Sequence, residues 1–263
     1  MKYLAIILVC FFSSIVGAVC GIGGGVIIKP VLDALEIMEV TSVSFLSGCT
    51  VLSMAVVSLY KNLRKRDDFE FDNIFATILA LGSVVGGVVG REFYQRIINH
   101  LENRSAVAAV QAGILALVTF GTLAYTFFKK KIPAQNIKNR MFVFVTGIVL
   151  GMMSSFLGIG GGPINLVVLF YFFSMETKQA ALNSIYVIMF SQISSLLATL
   201  FGGNMPPVDK RILLLMILGG VSGGLVGCRI NRKIESETVD KLFMCLMGVI
   251  IFISVYNFFL YIT

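Results

Sequence analysis

Long apolar runs alternate with short charged stretches along the whole chain. Windows 4–28, 41–60, 74–90, 106–128, 142–175, 183–201, 212–227 and 242–262 contain no Asp, Glu, Lys or Arg. Most are close to the roughly 20 residues that cross a hydrocarbon core. The pattern predicts an all-α, polytopic helical membrane protein. Two of these runs are interrupted by near-copies of one glycine cluster. Gly21-Ile22-Gly23-Gly24-Gly25 and Gly158-Ile159-Gly160-Gly161-Gly162 lie 137 positions apart.

Consecutive glycines are poor helix material, each costing about 1 kcal/mol relative to alanine in a helix interior. They also leave backbone N–H and C=O groups uncovered, and such groups in hydrocarbon must be satisfied internally or line a cavity. Length points the same way. Phe142–Met175 is a run of 34 uncharged residues, about 51 Å as one helix, well beyond a hydrocarbon core of about 30 Å. Two shorter helices are expected to meet at Gly160–Pro163. The first half offers the same plan, with residues 3–20, the glycines and then Val26–Leu35. Residues 3–20 resemble a secretory leader, but the matching run before the second cluster argues for a first membrane element.

The 137-residue offset persists. Leu81–Gly90 aligns with Leu218–Gly227 at seven of ten positions, and Ser47 falls on Ser184. These matches predict a duplication, with membrane repeats at 1–130 and 141–263 joined by a basic linker, 131–140. The rows Gly82/Gly86/Gly90 and Gly219/Gly223/Gly227 recur every four residues, so each lies on one helix face and lets another helix approach closely. Contiguous glycines cannot share one face, which sets the two clusters apart. If all eight runs cross, the 21 Lys and Arg divide 12 to 9 between the two sides. If each glycine cluster is the tip of a hairpin returning to its own side, the split is 14 to 7. The positive-inside rule prefers the second arrangement. It leaves three crossings per half and relates the halves by inversion, as in many secondary transporters.

Charge and composition narrow the function further. The net charge of +7 sits in loops flanking the apolar runs, where it sets topology rather than binding nucleic acid. Cys10, Cys20, Cys49, Cys228 and Cys245 form no CxxC pair and read as small apolar residues. The lone His100 cannot build a metal site. Neither glycine cluster is followed by the Lys-Ser or Lys-Thr of a phosphate loop. The dinucleotide fingerprint fails at Val26 and Pro163. No enzyme motif and no cofactor site is recognisable.

The chemistry that fits is anion binding. A broken helix presents free N–H groups and a positive dipole end at the start of its second part, and glycine lets an oxyanion reach that backbone. Candidate ligands are Gly23, Gly24 and Gly25, with Gly160, Gly161 and Gly162 in the second copy. Lys29 is the lone charge of its stretch, a ligand or a residue that snorkels to the interface. Asn165, Ser47, Asn183, Ser184 and Gln192 could complete a polar cavity or act as interhelical glue. No charge-free window carries a carboxylate. Asp33, Glu36 and Glu39 lie just outside, so coupling to a proton, to sodium or to no ion stays open.

The duplicated GIGGG-x-x-x-x-P-x-L pattern, Gly21–Leu32 with a second copy at Gly158–Leu169, resembles the sulfite exporter TauE/SafE family of membrane permeases. The second copy departs from it, with Pro163 after the glycines and Val167 where the proline would fall. The resemblance covers nearly the whole chain. It implies a multi-pass protein of the bacterial cytoplasmic membrane that moves small sulfur-containing anions. The expected partners are thus a small anionic substrate and the lipid bilayer. A passive anion channel and a non-transporting scaffold subunit are the alternatives.

Overall fold

In the computed structural model, residues 2–35, 38–63, 72–100, 104–159, 161–203 and 205–262 are described. The described residues form ten α-helices. The first half holds α1 (Lys2–Cys20), α2 (Gly25–Ala34), α3 (Val40–Leu63), α4 (Asn73–His100) and α5 (Arg104–Phe128). The second holds α6 (Arg140–Leu157), α7 (Pro163–Phe173), α8 (Thr177–Phe201), α9 (Lys210–Lys233) and α10 (Ser236–Ile262). A short 3-10 turn, Lys129–Lys131, closes α5. Eight of these helices are long and apolar enough to cross a membrane; α2 and α7 are too short. The protein is a multi-pass, all-helical membrane protein.

Local chemistry sets the helix ends. The side chains of Asp72, Asn139 and Asp209 accept hydrogen bonds from the first turns of α4, α6 and α9, satisfying N–H groups that have no partner within the helix. The apolar helices α1 and α6 stop at glycine instead. Gly21 and Gly158 take φ of +76° and +64°, a left-handed conformation that glycine adopts without steric cost.

The four-residue glycine rows explain the packing. α4 lies along α6 and α1 along α9, the two most extensive helix pairings. A methyl group added at Gly82, Gly86 or Gly90 would come within 2.4 Å of the Phe144, Ile148 or Met152 carbonyl oxygen. Gly223 and Gly227 meet the carbonyls of Phe11 and Ile15 in the same way. Each half thus seats its glycine row on the first helix of the other half.

The order of these contacts also fixes direction. Residue numbers rise together along α1 and α9, along α4 and α6, along α3 and α9 (Thr50 at Gly220, Met54 and Ser58 at Gly224), and along α4 and α8 (Val187 at Ser83, Ser191 and Ser194 at Gly87). So α1, α3 and α9 share one direction, and α4, α6 and α8 share another. The start of α3 (Thr41) lies with the end of α4 (Tyr94, Ile98). Further along α3, Gly48 faces Gln192, beside the Ser191 that faces Gly87 earlier in α4, so the two sets are opposed. Because α1 and α3 are parallel, the chain between them turns back through α2. The same holds for α6, α7 and α8, from the opposite side. Each glycine cluster is therefore the tip of a hairpin, and the two hairpins enter from opposite faces. α5 and α10 flank this arrangement as an antiparallel pair, tied by Gly113 against Phe258 at one end and Lys129 against Asp240 at the other.

Candidate functional site

The two hairpin tips meet. A side chain added at Gly25 would stand 2.0 Å from the Ile159 carbonyl oxygen, and one added at Gly161 would lie 3.3 Å from that of Ile22. Neighbouring contacts recur across the two halves, with Gly21 against Ala181 and Gly158 against Ser44. Gly21–Gly25, Gly161 and Gly162 are all buried. Gly160 lies outside the described residues, as does Glu36. No acceptor among the described residues takes the N–H of Gly23, Gly24, Gly25 or Val26. These are the free donors expected of a helix N-terminus. Their surroundings are closer than a watery chamber would make them. Ser14 covers Gly24, with its hydroxyl oxygen 3.1 Å from an added methyl.

Lys29 follows one turn into α2 and does not snorkel. Its side chain is 6% exposed, and Nζ donates to Asp33 Oδ2 at 3.1 Å and to Gln111 Oε1 at 3.2 Å. Gln111 Nε2 in turn donates to the Phe156 carbonyl oxygen at 2.5 Å. On the far side of α2, Asn257 Nδ2 donates to the Pro30 carbonyl at 2.9 Å. α2 is thus held by polar groups from α5, α6 and α10. Asp33, which the charge pattern places at a membrane edge, is 5% exposed and belongs to this interior cluster. The signal that could have found it is the i,i+4 spacing of a lysine and an aspartate on a short helix.

The remaining candidates divide. Asn165 on α7 is 1% exposed, and neither its Nδ2 nor its Oδ1 has a partner. The hydroxyls of Ser47 and Ser184 are buried and unpartnered on α3 and α8. A buried polar group left unpaired costs about 1–3 kcal/mol, so these three positions suit contact with a polar solute. Gln192 instead joins helices, reaching Ser154 Oγ at 3.5 Å and packing on Gly48. Asn183 donates to the Gln179 carbonyl of its own helix and to Met175 Sδ, while its buried Oδ1 is unpartnered. The charge pattern overlooks Arg91 on α4. Its residue is 8% exposed, its Nε is unpartnered, and its guanidinium lies 5.2 Å from the Tyr94 ring.

Two cavities open on opposite faces. One of about 440 Å³ is lined by Asp72, Lys138, Arg140, Met175 and Gln179, at the mouth of the second hairpin. Another of about 220 Å³ is lined by Glu39, Thr41, Tyr94 and Ser105, at the mouth of the first. They share no lining residue. Among the described residues no group of His, Cys, Asp and Glu could hold a metal ion.

The family model for the sulfite exporter TauE/SafE matches residues 6–254. The chain belongs to the TauE/SafE family. It is 22% identical to the probable membrane transporter protein YunE of Bacillus subtilis over 91% of this chain and 92% of that one. It is 24% identical to the probable membrane transporter protein MJ0441 of Methanocaldococcus jannaschii, covering 93% and 92%. No solved structure matches. As a TauE/SafE protein the chain is a membrane transporter of the cell membrane and not an enzyme.

Proposed function

We propose that this protein is a secondary transporter for small anions, sulfur oxyanions or organosulfonates among them. One observation carries the reading: a buried lysine stands one helical turn behind free backbone donors, where two opposed hairpins abut. A cation at membrane depth is costly and tends to be functional. Free N–H groups at a helix start favour an anion. The basic pair Lys138 and Arg140 at the mouth of the larger cavity would gather anions on the side that carries most of the Lys and Arg. Under the positive-inside rule that side is cytoplasmic. The matching helix order and opposite sense of the halves support a rocking, alternating-access cycle. The separate cavities favour a carrier over an open channel.

The test is flux into proteoliposomes loaded with sulfate, methanesulfonate or sulfite. A carrier accelerates exchange when unlabelled anion is present on the opposite side. Flux equal to that of empty liposomes for all three anions removes the reading, and flux without counterflow acceleration converts it to a channel.

A further inference from the structure

Three unpaired polar atoms converge on the far side of the Lys29–Asp33 pair. Asp33 Oδ1, Ser254 Oγ and Asn257 Oδ1 all lack partners, and all three residues are at least 95% buried. With Lys29 and Gln111 they line a pocket of about 10 Å³, room for about one water molecule. Ala108 lines both this pocket and the 220 Å³ cavity. The pocket beside Asp33 and a cavity that opens on one face are therefore neighbours, with Ala108 between them.

Resting on the transport reading above, we propose that Asp33 is the binding site for a coupling proton, and that its protonation releases Lys29 to the substrate anion. The charge count carries this. With Asp33 ionised, Lys29 is neutralised at 3.1 Å and has little to offer a second anion. A proton from water forms an O–H bond on Asp33, leaving a net positive charge on the unchanged Lys29 ammonium, which then donates to the incoming anion. When the anion leaves, Asp33 returns its proton to water and recaptures Lys29. Proton and anion raise each other's affinity, because such coupling is reciprocal. They travel together, and a monovalent anion moves without net charge. A sodium ion fits less well, since it would sit against a resident ammonium. Among the described residues, the other groups facing the pair are the uncharged Gln111 on α5, Ser254 and Asn257 on α10, Ser44 on α3 and the Phe156 carbonyl on α6. Tyr94 of α4 stands nearby, with Arg91 behind it.

Methanesulfonate and sulfate keep their charge between pH 5 and 8, whereas sulfite gains a proton near neutrality, so the first two are the probes. Wild-type protein in weakly buffered detergent should take up about one proton per methanesulfonate bound. Its affinity should fall about tenfold per pH unit on the alkaline side. In proteoliposomes an acid-outside gradient should drive accumulation. Asp33→Asn should bind methanesulfonate with no pH dependence and lose gradient-driven accumulation. Asp33→Glu should restore proton uptake. Methanesulfonate binding by wild type without proton uptake overturns the assignment, as does gradient-driven accumulation by Asp33→Asn. If Asp33→Asn fails to fold, the wild-type proton count still decides. Wild-type protein that neither binds nor moves either anion defeats the transport reading itself, a different result from transport without protons.

Discussion

The two hairpins use one backbone device and load it differently. Both end a long helix at a left-handed glycine, descend through further glycines and restart in a short helix. In the first, the restart is Gly25 with free donors beneath it, and α2 carries Lys29 and Asp33. In the second, Pro163 occupies the first position of α7. Proline has no N–H and sets φ in advance, so this tip presents one donor fewer and is stiffer. The positions matching Lys29 and Asp33, at the offset of 137, are Leu166 and Phe170. Both are buried in the largest apolar cluster. The comparison separates two features. The turn geometry is present twice and brings the two hairpin tips into contact. The buried charged pair is present once, in the first hairpin.

The most damaging way to break the shared device is to add atoms where the tips touch. Gly25→Ala places a methyl 2.0 Å from the Ile159 carbonyl oxygen, whereas Gly24→Ala meets Ser14 at 3.1 Å. The first cannot be accommodated without moving backbone, and the second needs a shift of a few tenths of an ångström. Gly25→Ala should abolish anion flux and lower the melting temperature in detergent by more than 10 °C. Gly24→Ala should retain folding and part of the flux. Equal tolerance at both positions would mean that the tips are not in contact.

A smaller effect comes from making the first hairpin resemble the second. Lys29→Leu alone strands Asp33 without its partner, at a cost of about 3–5 kcal/mol, and Asp33→Phe alone strands Lys29. The double variant Lys29→Leu/Asp33→Phe copies the pair found in α7 and should recover most of the lost thermal stability, because a buried ion pair contributes little beyond an apolar pair of similar volume. It should not recover flux. Full flux in a stable double variant would remove the charged pair from the mechanism.

How much of this the chain declares follows from which forces are local. The helices, the two breaks and the opposed hairpins are legible because charge exclusion, glycine clustering and the distribution of Lys and Arg act along the sequence. The rows at Gly82 and Gly219 announce close packing but not their partners, since spacing carries no information about the opposite helix. The same limit hid the burial of Asp33. A carboxylate at the end of an apolar run looks like an edge, and only the reversal of α2 carries it inward to meet Gln111 and Asn257. Asn183 and Gln192 show that spacing alone does not say which polar atoms are taken up by neighbours. Their amide nitrogens reach Gln179 and Ser154, while Asn183 Oδ1 stays buried and unpartnered.

Asn165 sharpens the comparison on the neutral side. It is buried on α7 with both amide atoms unpaired, opposite Ile28 in the alignment of the halves. Asn165→Leu removes an uncompensated desolvation penalty and should leave stability equal or improved by about 1–3 kcal/mol, whereas a structural role would make the change destabilising. We expect that gain together with at least about a tenfold loss of anion flux, because in the proposed reading this unpaired amide is what the second hairpin offers the solute. A stable variant with unchanged flux would leave the first hairpin as the sole contributor.

The smallest effect lies where a lysine at the end of α5 reaches the second hairpin. Lys129 Nζ stands 3.6 Å from the centre of the Phe170 ring, the residue matching Asp33, and 3.7 Å from Asp240 Oδ2. Outside the spanning segments and about a quarter exposed, it takes part in a rim contact joining α5, α7 and α10. Burial pulls its ammonium below the ordinary lysine range, partly offset by Asp240. The folded protein therefore releases this proton at lower pH than the unfolded chain. Stability gains from that difference as pH rises from neutral towards the lysine range, since the unfolded state then binds more protons. The melting temperature of wild type minus that of Lys129→Met should accordingly grow between pH 7 and pH 10. Flux should stay within about twofold of wild type, because an aromatic face and a rim carboxylate hold this cation away from the point where the hairpins meet. A flux loss as large as that of Lys29→Leu would show that a working cation serves the second hairpin after all.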